Sequence, residues 1–192
     1  MRATEFLSEL TNPVTNQPID LLSIGLSNKD AEEVLHRSAR AAGMKGVELA
    51  QFLGQCFHET GGFSHLQEIG NKNYFLRYDP KVDPQKAKIL GNVRPGDGER
   101  YKGRGFIQIT GRDNYRRAGQ ALGLPLEQQP NLASNPDIAA KIAIWYWQTR
   151  VRPNVANFND TKGVTRWINS NLRGLEDRIS SVNDYKNVFN LI

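Results

Sequence analysis

Apolar residues recur along this chain at helical intervals more often than in alternation. Ala31, Val34, Leu35, Ser38 and Ala42 fall on one helical face. Ser27 with Asp30 three residues on has the form of a capping box, so a helix is predicted from there to about Met44. Lys45–Thr60 follows, with Val47, Ala50, Leu53, Gly54 and Phe57 on one stripe, and Gly61-Gly62 ends it as a glycine C-terminus does. Helical patterning resumes over Arg112–Leu122. Asn135-Pro136 supplies a cap and a first-turn proline for a helix to about Thr149, and two more are predicted over Thr161–Asn171 and Leu175–Phe189. Residues 10–26, crossed by Pro13 and Pro18, read as an irregular lead-in. Residues 63–111 break the pattern. They are rich in Gly, Pro, Asn and charge, and their apolar pieces (Tyr74-Phe75-Leu76 and Phe106-Ile107-Gln108-Ile109) suit one or two short strands. A polar stretch this long inside a domain carries function more often than packing. The fold class is mainly α: one helical domain over 1–192 with a long loop insertion and at most a small β-hairpin, residues 1–40 packing on it as an N-terminal segment.

Composition narrows the picture. The chain has 192 residues, 39% hydrophobic and 23% charged, which is ordinary for a globular domain. No apolar run approaches the roughly 20 residues of a membrane span, so no membrane insertion is expected. Glu5 and Glu9 interrupt the N-terminus where a signal peptide needs an apolar core. The one cysteine, Cys56, has no partner for an internal disulfide, so the fold rests on its core and suits a reducing compartment. Lys and Arg exceed Asp and Glu by 25 to 20, a net +5, and the sequence pI is near 9.4. Seven of the basic residues against three acidic ones lie between Arg94 and Arg117. Such a segment is either a solvated basic loop or a surface for nucleic acid, membrane or an anionic polymer such as a bacterial cell wall.

The chemistry-bearing candidates cluster around the polar stretch. Glu59, in Phe57-His58-Glu59-Thr60-Gly61-Gly62-Phe63, sits in the last turn of an apolar helix. Partial burial and the negative end of the helix dipole would both disfavour its charged form, as a general acid requires; the plain alternative is a surface glutamate before a glycine cap. Glu68 lies nine residues on, and two carboxylates of contrasting environment are the minimum for glycoside hydrolysis. Asp79, Asp83, Asp97 and Glu99 compete with Glu68 for the second place. In Tyr101–Gly111, alternation puts Gln108 and Thr110 on one side and Ile107 and Ile109 on the other, a polar edge suited to a sugar or to a held water. No Walker pattern, Gly-x-Ser-x-Gly, paired cysteines or His-Glu-x-x-His occurs, so no metal or cofactor is expected.

Three segments in order, FHETGGF at 57–63, GDGERYKGRGFIQITGRDNY at 96–115 and VTRWINSNLRGLEDR at 164–178, resemble glycoside hydrolase family 19, and within it most closely the phage and prophage endolysin branch related to the plant chitinases. The resemblance implies a lysozyme-like, mostly helical α+β fold and inverting hydrolysis of β-1,4-linked N-acetylhexosamine polymers without a cofactor. It makes Glu59 the general acid, Glu68 the general base and Thr110 a holder of the attacking water. Gln108, Asn114, Tyr115 and Asn169 match substrate-cleft positions, and His58 and Tyr101 are taken with them. Arg104 and Arg178 match arginines that pair with cleft carboxylates or order the loops. Ile168-Asn169-Ser170-Asn171 departs from the family's Ile-Asn-Gly-Gly, which alters the cleft wall near Asn169.

Three functions compete on this footing: a muramidase-type peptidoglycan hydrolase, a chitinase, and a non-catalytic glycan-binding domain. The single thiol and the want of an export signal separate the chain from the secreted, disulfide-bonded plant chitinases and favour the first. The expectation is a monomeric endolysin without a separate cell-wall-binding module. It is made in the bacterial host cytoplasm, acts on the cell wall after release, and binds a peptidoglycan or chitin-like glycan and no nucleic acid.

Overall fold

The computed structural model describes residues 28–191. Ser27 and the lead-in 10–26 lie outside the described residues. Helix α1 (Asn28–Ala41) turns Ala31, Leu35 and Ala39 inward at intervals of four, while Ala42 falls beyond its end. Helix α2 (Gly46–Glu59) is buried continuously from Leu49 to Cys56, so it is enclosed on all sides rather than along the predicted stripe. Phe57, assigned to that stripe, is instead 39% exposed.

The insertion is helical where strands were expected. Tyr74-Phe75-Leu76 lies across a one-turn helix α3 (Lys72–Phe75) and a 3-10 turn, Leu76–Tyr78. The cause is local: the Asn71 side chain accepts the Tyr74 N–H at 2.9 Å, a helix cap that overrides the strand preference of Tyr and Phe. Helix α4 (Pro84–Leu90) starts in the same way, Asp83 accepting the Lys86 N–H ahead of a first-turn proline. Helix α5 (Asp97–Arg100) is again a single turn. Among the described residues the only β pairing is two isolated bridges, Gln67 to Arg104 and Arg104 to Ile109. Phe106–Ile109 is a turn, with Gln108 at φ 49°; Ile107 and Ile109 face the core and Gln108 and Thr110 do not, as predicted, while Phe106, on the polar side by alternation, is buried as well.

The C-terminal half returns to the predicted plan. Helix α6 (Arg112–Leu122) has the predicted bounds, and α7 (Pro136–Tyr146) is capped by Asn135 and continues through a π-helical turn to Val151. Helix α8 (Thr161–Arg166) stops short of Asn171, because a turn with Leu172 at φ 55° takes over. Helix α9 (Leu175–Val188) closes the domain. Ile138, Ala139, Ala140, Ile142 and Ala143 of α7 are fully buried under α1 and α6.

The pair that positions the site is α2 against α9. Gly54 makes it possible: a Cβ there would lie 2.6 Å from the Val182 methyl and within 2.9 Å of the Val182 backbone. We predict that Gly54→Ala destabilises the protein by about 1–3 kcal/mol through overpacking, in spite of a helix-propensity gain of about 1 kcal/mol. Urea denaturation checks this, and a midpoint equal to or above wild type refutes it.

Candidate active site

Glu59 is the last residue of α2, and the chain reverses immediately after it. The Thr60 hydroxyl donates to the Cys56 carbonyl at 2.7 Å and accepts the Phe63 N–H at 2.9 Å. Gly61, Gly62 and Phe63 then run at φ 58°, 74° and 61°. Phe63 folds under this turn, edge-on to Phe57 and to Phe106. Across from the turn stands Arg178 of α9, 1% exposed. Its guanidinium donates to Glu59 Oε1 at 2.5 Å, to Gln55 Oε1 at 2.7 Å and to the Arg173 carbonyl at 3.1 Å. Gln55 in turn donates to the Thr165 hydroxyl of α8 at 3.0 Å. Glu59 therefore ends a polar row that ties α2, α8 and α9 together. The reading from sequence surrounded Glu59 with apolar rings and a helix dipole and offered Arg178 a cleft carboxylate as one of two roles; the structure pairs it with Glu59.

His58, half-buried, lies against Gly174 at the start of α9, where a Cβ would collide with the imidazole. Burial, with Arg178 in support, holds its pKa below the usual 6.5, while Glu59 and Asp177 oppose the shift. Cys56 is fully buried, and that burial pushes its thiol well up.

Glu68 lies on the other side of the reversal. Its N–H donates to the Gly103 carbonyl at 2.8 Å, and its Oε2 accepts the Gly103 N–H at 3.0 Å. Oε1 accepts from the Tyr78 hydroxyl at 2.8 Å, the Tyr74 hydroxyl at 3.1 Å and Arg77 Nη2 at 3.1 Å. Burial first, then the bond to Glu68, pushes the Tyr78 phenol up to about 12, so it remains a donor at physiological pH. The competing acids are otherwise engaged. Asp79 and Asp97 are buried and accept backbone N–H groups of the loop, Asp83 caps α4, and Glu99 is exposed on α5.

Gln108, Thr110 and Asn114 form a chain of bonds beside Glu68. Gln108 Nε2 donates to the Gly105 carbonyl, the Thr110 hydroxyl to the Gln108 carbonyl at 2.9 Å, and Asn114 Nδ2 to the Thr110 carbonyl at 2.8 Å. A Cβ on Gly103 would lie 2.7 Å from Gln108 Oε1 and 3.3 Å from Glu68 Oε2, so these two acceptors border the same point. Asn169 sits half-buried in the turn after α8, its side chain accepting the Asn171 N–H at 3.2 Å.

Two expected substrate contacts, Tyr101 and Tyr115, turn inward instead, and Arg104 takes the loop-ordering one of its two expected roles. Tyr101 and Tyr115 are 3% and 0% exposed, and their hydroxyls donate to the carbonyls of Glu127 and Lys102. Arg104, 3% exposed, donates to Gln67, Asn131, the Tyr115 hydroxyl and the Arg100 carbonyl, and so orders the loop rather than pairing with a carboxylate. These side chains satisfy backbone carbonyls in a segment without a strand ladder, which is why they are buried. The residues the sequence reading missed are Tyr74, Arg77 and Tyr78. Their spacing of six, nine and ten from Glu68 carries no motif. A depression of about 660 Å³ lined by Arg94, Arg100, Arg112, Glu99 and Glu127 lies apart from both carboxylates; neither Glu59 nor Glu68 lines it. Among the described residues no group of three His, Cys, Asp or Glu is placed to hold a metal ion.

Residues 36–191 match the family model of glycoside hydrolase family 19, chitinase class I. A glycosyl hydrolase family 19 domain-containing protein of Haemophilus influenzae is 35% identical over 163 residues, covering 72% of this chain and 78% of its own. Acidic endochitinase Q of Nicotiana tabacum is 34% identical over 145 residues, which span 74% of this chain and only 50% of the tobacco protein. Among solved structures, chitinase C from Streptomyces griseus superposes with a TM-score of 0.62 at 25% identity, over 83% of this chain and 68% of that one. A class IV chitinase from Zea mays, at 23% identity and TM-score 0.60 over 96% of this chain and 90% of that one, shares the fold.

The burial of His58 has a thermodynamic consequence. A histidine held neutral in the fold contributes stability that is fully present above its unfolded pKa of 6.5 and is lost as pH falls through the lower, folded value. We predict that unfolding free energy declines more steeply below pH 6.5 in the wild type than in His58→Gln. Parallel curves from denaturation at stepped pH refute this.

Proposed function

Because the chain belongs to glycoside hydrolase family 19, and is thus a glycoside hydrolase, we propose that it cleaves the β-1,4 bonds of bacterial peptidoglycan by an inverting mechanism, as an endolysin does. The observation that carries the catalytic assignment is the pair of carboxylates on either side of the chain reversal: Glu59 bound to the buried Arg178 in the segment that resembles the family's acid motif, and Glu68 ringed by donors nine residues on. Two such carboxyl groups are what acid/base glycoside hydrolysis requires. Glu59 gives its proton to the glycosidic oxygen, and Arg178 stabilises the carboxylate left behind. Glu68 takes a proton from water as that water attacks the anomeric carbon. The Thr110 hydroxyl spends its own proton on the Gln108 carbonyl and so meets that water as an acceptor, which turns the water's lone pair toward the sugar. Gln108, Asn114, Asn169 and His58 supply polar contacts along the bound glycan, while Tyr101, Arg104 and Tyr115 support the wall from behind.

Charge supports peptidoglycan over chitin. The chain carries +5, and Arg94, Arg100, Arg116 and Arg117 of its basic segment are exposed, a surface that favours an anionic wall over a neutral polymer. The enzyme acts in this reading as a monomer on the cell wall, after release from the bacterial cytoplasm in which it is made. Chitin hydrolysis is the second reading, favoured by the relatives named as endochitinases in tobacco and Arabidopsis.

Product analysis separates these readings. Purified peptidoglycan and chitin hexamer are digested in parallel, with mass spectrometry of the fragments and proton NMR of the earliest product. We expect reducing N-acetylmuramic acid ends and the α-anomer first. Cleavage of chitin alone points to the chitinase, new N-acetylglucosamine reducing ends from peptidoglycan overturn the muramidase reading, and a β-anomer appearing first overturns inversion. We also expect Glu59→Gln to lower the rate by about 10²-fold or more, since general acid catalysis contributes 10²–10⁴-fold, with an unchanged circular dichroism spectrum. Retention of more than about a tenth of the rate removes Glu59 from the acid role.

A further inference from the structure

The two oxygens of Glu68 are bound very unequally. Oε1 receives the Tyr74 and Tyr78 hydroxyls, which fill its two lone pairs, and stands 3.1 Å from the Arg77 guanidinium as its ion-pair partner. Oε2 receives one, the Gly103 N–H, and keeps a lone pair on the side where Gln108 Oε1 also stands. The three donors are themselves joined. Arg77 Nη2 donates to the Tyr78 hydroxyl oxygen at 2.7 Å and to that of Tyr74, and its guanidinium lies 3.6 Å over the Tyr74 ring. Each phenol accepts from the cation and donates to the carboxylate, and such chains polarise one another. Asn71 fixes Tyr74 through the cap of α3, and Asn92 Nδ2 donates to the Tyr78 carbonyl at 2.9 Å, so the cluster is built into the backbone of the insertion.

We propose that Tyr74, Arg77 and Tyr78 are positioning residues that hold Glu68 by Oε1 and leave Oε2 as the oxygen that takes the proton from the attacking water. The proposal rests on Glu68 as the general base and adds the atom that acts and the residues that select it. The step balances. A water O–H bond breaks with its proton passing to Oε2, the water oxygen bonds the anomeric carbon, and the glycosidic C–O bond breaks with its oxygen protonated by Glu59. Proton return to Glu59 and loss from Glu68 complete the turnover through solvent.

The test is steady-state kinetics of the full chain across pH on chitin hexamer and on purified peptidoglycan. Other charged or titratable groups near the cluster are Lys86 over the Tyr78 ring, Lys102 over Phe75, and Arg104 with Tyr115 beneath the loop. None of these is altered by the variants. Tyr78→Phe should lower kcat about tenfold, the scale of a lost bond to a charged group, with KM within about twofold. The acidic limb of the kcat profile should move to higher pH, because a carboxylate with fewer donors is protonated more easily. Tyr74→Phe, at an exposed hydroxyl, should do the same to a smaller degree, and Arg77→Lys should keep more activity than Arg77→Met. If Tyr78→Phe fails to fold by circular dichroism, Tyr74→Phe and the Arg77 pair decide. Folded variants with an unmoved acidic limb overturn the proposal, as does a kcat loss that only follows Tm. Glu68→Gln separates the two levels. If it is inactive while the tyrosine variants keep the wild-type profile, only the positioning role fails; if it is fully active, the base assignment fails with it.

Discussion

The guanidinium of Arg178 is the constraint around which the Glu59 side of the site is built. Buried among α2, α8 and α9, it needs a counter-charge and hydrogen-bond acceptors, because an unpaired buried charge costs several kcal/mol. It finds those acceptors on Gln55, on Glu59 and on the Arg173 carbonyl. That requirement fixes the distance between α2 and α9, which Gly54 permits, and it fixes the rotamer of Glu59 by the same contact. An ion pair of this kind is weak support for stability in itself. What it specifies is register: α9 shifted by one residue would leave both the arginine and the carboxylate unmatched.

The Glu68 side follows a different principle. Residues 63–111 have almost no ladder pairing, so their backbone groups must be satisfied by side chains. Asp79, Asn92 and Asp97 take that part, accepting the N–H groups of Gly96, Arg112, Val93 and Arg94. Arg104 does the reverse, donating to the Arg100 carbonyl. The insertion is therefore a knot of side chain to backbone bonds, and Glu68 is held at its edge by residues belonging to the same knot.

The sequence made the helices legible, because apolar spacing and caps such as Asn135-Pro136 are local signals. Arg112–Leu122 was legible to the residue. It also singled out Glu59, Glu68 and Thr110, through the motifs around them. It failed where tertiary partners decide. Tyr74-Phe75-Leu76 has strand composition, but a cap from Asn71 outweighs it. Tyr101, Arg104 and Tyr115 share a motif with cleft residues yet face inward, since a motif records position along the chain and not the direction of a side chain. The Arg178–Glu59 contact joins residues 119 apart; the resemblance offered the arginine a cleft carboxylate, but no local pattern says which one.

That separation also sets an order of events during synthesis. A nascent chain that has emerged through Thr110 already holds Glu68, Tyr74, Arg77, Tyr78, Gly103 and Gln108, a set that spans little more than forty residues. Glu59, although translated earlier, waits for α9, which is made well after Thr110. At about 5–20 residues per second, several seconds pass between the two. The hydrolase thus matures in two stages, the Glu68 half before the Glu59 half, and Glu59 meets its buried partner only once α9 has been made.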